Sequence, residues 1–161
     1  MTCRARLFAP AGLLFALCLA TATQAAVSPF AAMTGSWSGA GTLSTAEGNA
    51  ERLRCRASYG VGGSGTDLQL RIKCASPSYS FELGSDLAYQ GGRISGSWSE
   101  ASHNANGSIV GRASGDRIEA AANGQNFAAN LSIVTRGDQQ IVSIRSRGTD
   151  ITGVTLTLKR R

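Results

Sequence analysis

Apolar and polar side chains alternate with a period of two in two neighbouring parts of this chain, residues 52–59 and residues 67–74. A period of two is that of a β-strand, whose successive side chains point to opposite faces of a sheet. Each segment therefore predicts a strand with one apolar and one polar face, and the apolar face must be covered for the sheet to be stable. The apolar positions are Leu53, Cys55, Ala57 and Tyr59 in the first segment, and Leu68, Leu70, Ile72 and Cys74 in the second.

Two cysteines predict how these strands pair. In an antiparallel hairpin the numbers of opposed residues add up to a constant, so placing Cys55 opposite Cys74 also places Ala57 opposite Ile72. Every apolar position then faces an apolar one. We therefore predict a disulfide between Cys55 and Cys74, with the glycine-rich residues 60–65 as the connection.

Further alternations recur to the end of the chain, separated by short stretches of Gly, Asn, Asp and Ser. They predict eight to ten strands, and their short connections favour an antiparallel up-and-down meander. A sheet of that many strands tends to close on itself and remove its exposed edges. We predict an all-β fold, a small closed or partly closed β-barrel, with a sandwich as the second choice and a short helical turn at residues 28–33. The predicted turns are residues 91–92, 104–107, 114–116, 123–124, 136–138 and 148–150.

The first 25 residues have the three zones of a secretory signal peptide: Arg4 and Arg6, an apolar run over residues 13–19, and small residues up to Ala25. We therefore predict one all-β domain over residues 26–161, periplasmic or secreted, with no transmembrane segment in the mature chain. Cleavage would leave two of the four cysteines, and 14 basic against 10 acidic side chains, a net charge of +4.

Few residues of this chain have catalytic or metal-binding potential. The single histidine, His103, lies in a polar run and has no second histidine with which to bind zinc. Of the carboxylates on or beside strands, Glu82 and Glu119 belong to the polar face, and Glu100 is the third candidate for acid–base chemistry. No strand-to-helix nucleophile elbow and no phosphate-binding fingerprint is present. The sequence predicts no enzyme, no metal and no cofactor.

A stripe of basic residues is predicted on the outer face of the first hairpin. It would dock an anionic surface, or it is a solvated face partly neutralised by Glu51 and Asp67. Because no aromatic side chain that would stack on bases shares this face, a nucleic-acid partner is not expected. The stripe consists of Arg52, Arg54, Arg56, Arg71 and Lys73.

Gly35 and Trp37 form a Gly-x-Trp motif at the start of the first predicted strand, which resembles the lipocalin and wider calycin pattern. That resemblance implies a barrel capped at one end by the Trp, with a small apolar ligand inside. A second resemblance, to a family of small exported proteins of alphaproteobacteria, spans most of the mature chain and implies a periplasmic or secreted bacterial protein without implying an activity. It is carried by residues 35–39, 53–57, 73–76 with Tyr79 and Phe81, and 94–100.

The predicted function is that of a non-catalytic module that binds a small apolar ligand or an envelope protein partner. The sequence leaves open whether the barrel interior is filled by large side chains or left open by Ala57, Gly96, Ala120 and Ala129. A periplasmic protease inhibitor with residues 26–33 as its reactive tail is one alternative, and a hydrolase is another. The candidate ligand-binding residues, in the interior or at its mouth, are Trp37, Tyr59, Phe81, Trp98 and Phe127.

Overall fold

The computed structural model describes residues 27–161, a short 3₁₀ helix followed by ten strands. The predicted signal peptide, residues 1–25, lies outside the described residues. The helix is Pro29–Met33 and the strands are β1 (Gly35–Thr45), β2 (Ala50–Val61), β3 (Asp67–Ala75), β4 (Ser80–Gln90), β5 (Arg93–Glu100), β6 (Ala105–Ser114), β7 (Arg117–Gly124), β8 (Ala128–Arg136), β9 (Gln139–Arg147) and β10 (Ile151–Arg160). Within residues 27–161, no helix is long and apolar enough to cross a membrane.

Each strand pairs antiparallel with its neighbours in the chain, and β10 pairs with β1, which closes the sheet into a barrel. The predicted all-β barrel meander is confirmed, and the sandwich is not the architecture. Closure gives every strand two hydrogen-bonded neighbours, so the described sheet has no open edge.

The predicted register of the hairpin formed by β2 and β3 is confirmed. Cys55 lies opposite Cys74 and Ala57 opposite Ile72, and the two cysteines are joined in a disulfide with a Cα–Cα distance of 4.2 Å. The side chains of the predicted basic stripe all lie on the exposed face of these strands.

Two of the predicted turns are wrong. Residues 104–107 were expected to form a turn, but the turn ends at Asn104, whose φ is 50°, and β6 begins at Ala105. Residues 123–124 are the last two residues of β7 and form no turn. The reason is that Gly107 and Gly124 oppose each other, and a Cβ on either would lie 3.0 Å or less from the Trp98 ring. Glycine occurs here to make room for an indole and not to turn the chain.

The 3₁₀ helix closes one end of the barrel and lies within residues 28–33, for which the sequence predicts a short helical turn. Phe30 and Met33 are 0% and 2% exposed, and the indole nitrogen of Trp37 donates to the Met33 carbonyl oxygen at 2.7 Å. Arg160, at the end of β10, places its guanidinium 4.4 Å from the centre of the Trp37 ring and donates to the carbonyl oxygens of Ala32 and Thr34. Two residues of the predicted inhibitory tail, Phe30 and Met33, are thus packed into the protein's own barrel.

Candidate functional site

The inward side chains of the barrel are buried to different degrees on different strands. Near the 3₁₀ helix the inward side chains, among them Trp37, Tyr59 and Leu158, are almost fully buried. On β1, β2 and β10 this burial continues to Leu43, Leu53 and Val154, whereas inward apolar side chains in the middle of β3, β4, β8 and β9 are only partly buried. Other side chains therefore do not fully cover the inward apolar surface of these four strands. The partly buried inward residues are Leu70, Ile72, Leu83, Leu131, Ile133 and Ile144.

Small residues occupy several positions of the inward rows. Gly96 opposes Leu87 and Ile109, and Gly111 opposes Ala120 across β6 and β7. Eight strands already give an interior that side chains just fill or that holds one small ligand, and barrel diameter grows with strand number. A ten-stranded barrel lined in part by glycine and alanine is therefore expected to have room for a small ligand.

Aromatic side chains surround the end of the barrel opposite the 3₁₀ helix. Tyr79, Phe81, Trp98 and Phe127 lie at or near the strand ends there, and all four are partly exposed. The Trp98 and Phe127 rings lie 5.2 Å apart between centroids, and Trp98 Nε1 donates to the Asn123 carbonyl oxygen at 3.2 Å. This open end presents an apolar rim that is held in place by packing and by one hydrogen bond.

The five predicted ligand-binding residues thus separate into two groups. Four of them lie on strands with their side chains inward, and Phe127 directly precedes β8. Trp37 and Tyr59 pack edge to face at the closed end, with ring centroids 6.3 Å apart. Phe81, Trp98 and Phe127 lie at the open end. Only the second group is partly exposed.

A buried polar cluster at the closed end was not predicted from the sequence. The Tyr59 hydroxyl donates to Gln140 Oε1 at 2.6 Å, and Gln140 Nε2 donates to Thr135 Oγ1 at 3.0 Å. Burial raises the pKa of Tyr59 and outweighs the opposing effect of its bond to Gln140, so the phenol stays neutral. Gln140 shares the inward parity of Val142 and Ile144, which is the signal that would have placed it inside.

Glu100 fastens the turn between β5 and β6 at the open end. Its carboxylate accepts hydrogen bonds from the backbone nitrogens of Glu82, Ser102 and His103 at 2.7–3.0 Å, and His103 Nδ1 lies 2.8 Å away. Burial acts to raise the pKa of Glu100, but these bonds to the charged form outweigh it and lower the pKa to about 2. The carboxylate is fully engaged as an anchor.

The three candidate acid–base carboxylates do not converge. Glu100 points inward, whereas Glu82 pairs with Lys73 at 2.8 Å and Glu119 with Arg117 at 3.0 Å on the outer surface. Among residues 27–161, no group of three or more histidine, cysteine or carboxylate side chains is placed to hold a metal ion. Glu82, Glu100 and Glu119 therefore form no paired site of the glycosidase kind.

The fold, but not the sequence, is shared with known proteins. No protein-family model matches the chain, and no curated protein matches its sequence. Rv2717c from M. tuberculosis superposes with a TM-score of 0.65 at 16% identity, over 81% of this chain and 93% of that one. The S-type phycobiliprotein lyase CPES from Guillardia theta does so with a TM-score of 0.60 at 10% identity, over 82% and 89% of the two chains. At these identities the likeness shows the barrel fold alone.

Proposed function

We propose that this protein is an exported, non-catalytic barrel that binds a small apolar molecule in its interior. The observation that carries the proposal is the set of inward apolar side chains on β3, β4, β8 and β9 that stay partly exposed. Pockets for small molecules are typically concave, mostly apolar and pre-formed. An apolar molecule entering past Trp98 and Phe127 would cover this surface.

Other observations support separate parts of the proposal. The disulfide is compatible with an oxidising compartment, as the predicted signal peptide and the resemblance to exported alphaproteobacterial proteins would require. The engaged carboxylate of Glu100 and the separated Glu82 and Glu119 favour binding over catalysis. A phycobiliprotein lyase has the same kind of barrel, which is consistent with an interior that handles a ligand.

Two neighbouring alanines of β7 allow a matched test. Ala120 faces the interior, opposite Gly111 and Leu131, and Ala121 faces outward, opposite Val110 and Asn130. We expect the neutral fluorophore N-phenyl-1-naphthylamine to bind the native protein with an increase in fluorescence. Ala120→Phe should weaken this binding at least about tenfold because the phenylalanine ring would occupy the proposed ligand site inside the barrel. Ala121→Phe should leave the binding unchanged.

A neutral probe is chosen because an anionic one would also bind the exposed basic side chains of β2 and β3. Circular dichroism and the melting temperature of both variants establish that each has folded. The proposal is wrong if the native protein does not bind the fluorophore, or if the two phenylalanine variants bind it equally well.

A further inference from the structure

The positive charge of this protein is concentrated on one side of the barrel. We define the basic face as Arg52, Arg54 and Arg56 of β2, Arg71 and Lys73 of β3, and Arg161. Its one carboxylate is Glu82, so the face has a formal charge of +5. Because residues 26–161 have a net charge of +4, the rest of the barrel sums to −1.

The basic face encloses an open groove of about 830 Å³. Small outward side chains form its floor, with Ser38 opposite Arg56 and Ala40 opposite Arg54 across β1 and β2. Arg161 extends over the same floor and donates from Nε to Ser38 Oγ at 2.6 Å. Long cationic side chains thus flank a trough that short side chains leave empty.

Among the described residues, the arginines of the basic face have no carboxylate partner. In residues 27–161, no carboxylate lies within ion-pair distance of Arg52, Arg54, Arg56 or Arg71, and the one ion pair on the face joins Lys73 to Glu82. The two carboxylates expected to neutralise the face bond elsewhere. Glu51 accepts from the Ser78 backbone nitrogen, and Asp67 accepts from Ser64 and Thr66.

Unpaired guanidinium groups at this density repel one another, so the arrangement is disfavoured unless an anion completes it. Along β2 the arginines occur at every second residue and are therefore about 7 Å apart on one line. Guanidinium groups bind phosphate oxygens in a bidentate manner, and the serine hydroxyls of the floor add further donors. We propose that the groove binds an extended anionic chain that bears phosphate groups.

The shape and chemistry of the face favour a phosphate-bearing chain without bases over a bilayer or a nucleic acid. None of the exposed large apolar side chains of the described residues, Val27, Val110 and Ile141, lines the groove, so no such side chain of the groove would insert into a membrane. Trp37 borders the groove but is 1% exposed, so no aromatic ring is available to stack on a base.

A matched pair of triple variants tests the proposal with inorganic polyphosphate as the probe. One variant is Arg52→Ser, Arg54→Ser and Arg56→Ser. The control is Arg93→Ser, Arg112→Ser and Arg145→Ser, which removes the same charge from exposed positions on β5, β6 and β9. We expect the basic-face variant to bind polyphosphate roughly 100-fold more weakly and the control within about threefold of the native protein.

The measurement is calorimetric titration at several salt concentrations, and binding by the native protein should weaken as salt rises. Equal losses in the two variants would show a diffuse charge effect and overturn the proposal. So would tighter binding to orthophosphate, to single-stranded DNA or to phosphatidylglycerol vesicles than to polyphosphate. Unchanged binding of the neutral fluorophore by both variants confirms that they are folded and keeps this result separate from the interior site.

Discussion

At the scale of single residues, Glu100 shows how a carboxylate that looks catalytic in sequence serves the structure. Its four hydrogen-bond contacts join β4, β5 and the turn that follows β5. Protonation would remove the charge that these donors stabilise. The stability that Glu100 contributes should therefore be fully present above the ordinary carboxyl pKa and should be lost as the pH falls towards its folded pKa of about 2.

We expect Glu100→Gln to lower the free energy of unfolding by roughly 2–3 kcal/mol at neutral pH, a value that follows from the pKa shift. The native protein should lose this difference between about pH 5 and pH 2, whereas the variant should change less over that range. Urea unfolding as a function of pH measures both. Glu82→Gln is the control, because it removes an exposed ion pair and should change stability by less than about 1 kcal/mol. Parallel pH profiles of Glu100→Gln and the native protein would contradict the assignment.

At the scale of elements, the approach of β1 to β10 depends on glycine. A Cβ on Gly41 would lie 1.7 Å from the Thr155 carbonyl oxygen of β10, and one on Gly39 would lie 1.9 Å from the Thr157 carbonyl oxygen. Both contacts are with backbone, which cannot move aside as a side chain can. These two strands form the seam that closes the barrel. Glycine here permits a close strand approach inside a regular ladder.

We therefore expect Gly41→Ala to destabilise the protein by about 2 kcal/mol or more, because the seam must shift to admit the methyl group. Gly60→Ala is the matched control, since a Cβ there has no atom within 4 Å and the position is exposed near the end of β2. Its effect should stay within about 0.5 kcal/mol. Thermal unfolding of both variants decides the matter, and similar melting temperatures would show that the seam accommodates the methyl group.

At the scale of the whole molecule, Arg160 connects parts of the chain that are far apart in sequence. Besides its contact with the Trp37 ring, its Nε lies 3.0 Å from Asp138 Oδ1, in the turn before β9. Together with its bonds to the carbonyl oxygens of Ala32 and Thr34, this joins the last strand, the first strand, the 3₁₀ helix and a distant turn. This side chain therefore helps to hold the 3₁₀ helix against the end of the barrel.

Arg160→Met should lower the free energy of unfolding by about 2 kcal/mol, through loss of the cation–π contact and the hydrogen bonds. The neighbouring Lys159 points outward, so Lys159→Met should have little effect. Hydrogen exchange provides a second measurement, in which residues 30–37 should exchange faster in Arg160→Met than in Lys159→Met. Equal protection of this segment in the two variants would show that Arg160 does not hold the cap.

The alternating pattern by itself determined which side of the sheet each residue faces. It placed Cys55 opposite Cys74, put the arginines of β2 outside, and gave Trp98 and Tyr59 the same inward parity. These are local properties, because successive side chains of any strand point to opposite faces. The sequence also predicted a closing sheet, from the number of strands and their short connections, and a short helical turn at residues 28–33 ahead of it.

Only the tertiary structure decided the position of each residue along the barrel axis. That position depends on the stagger between all ten strands and on closure of β1 against β10, which opposes Trp37 and Arg160, residues more than 120 positions apart. The alternating pattern could not show that Tyr59 lies at the closed end and Trp98 at the open end. Nor could it show that Gly107 and Gly124 lie against the Trp98 ring. The side of the sheet is a property of the strand, whereas the end of the barrel is a property of the closed sheet.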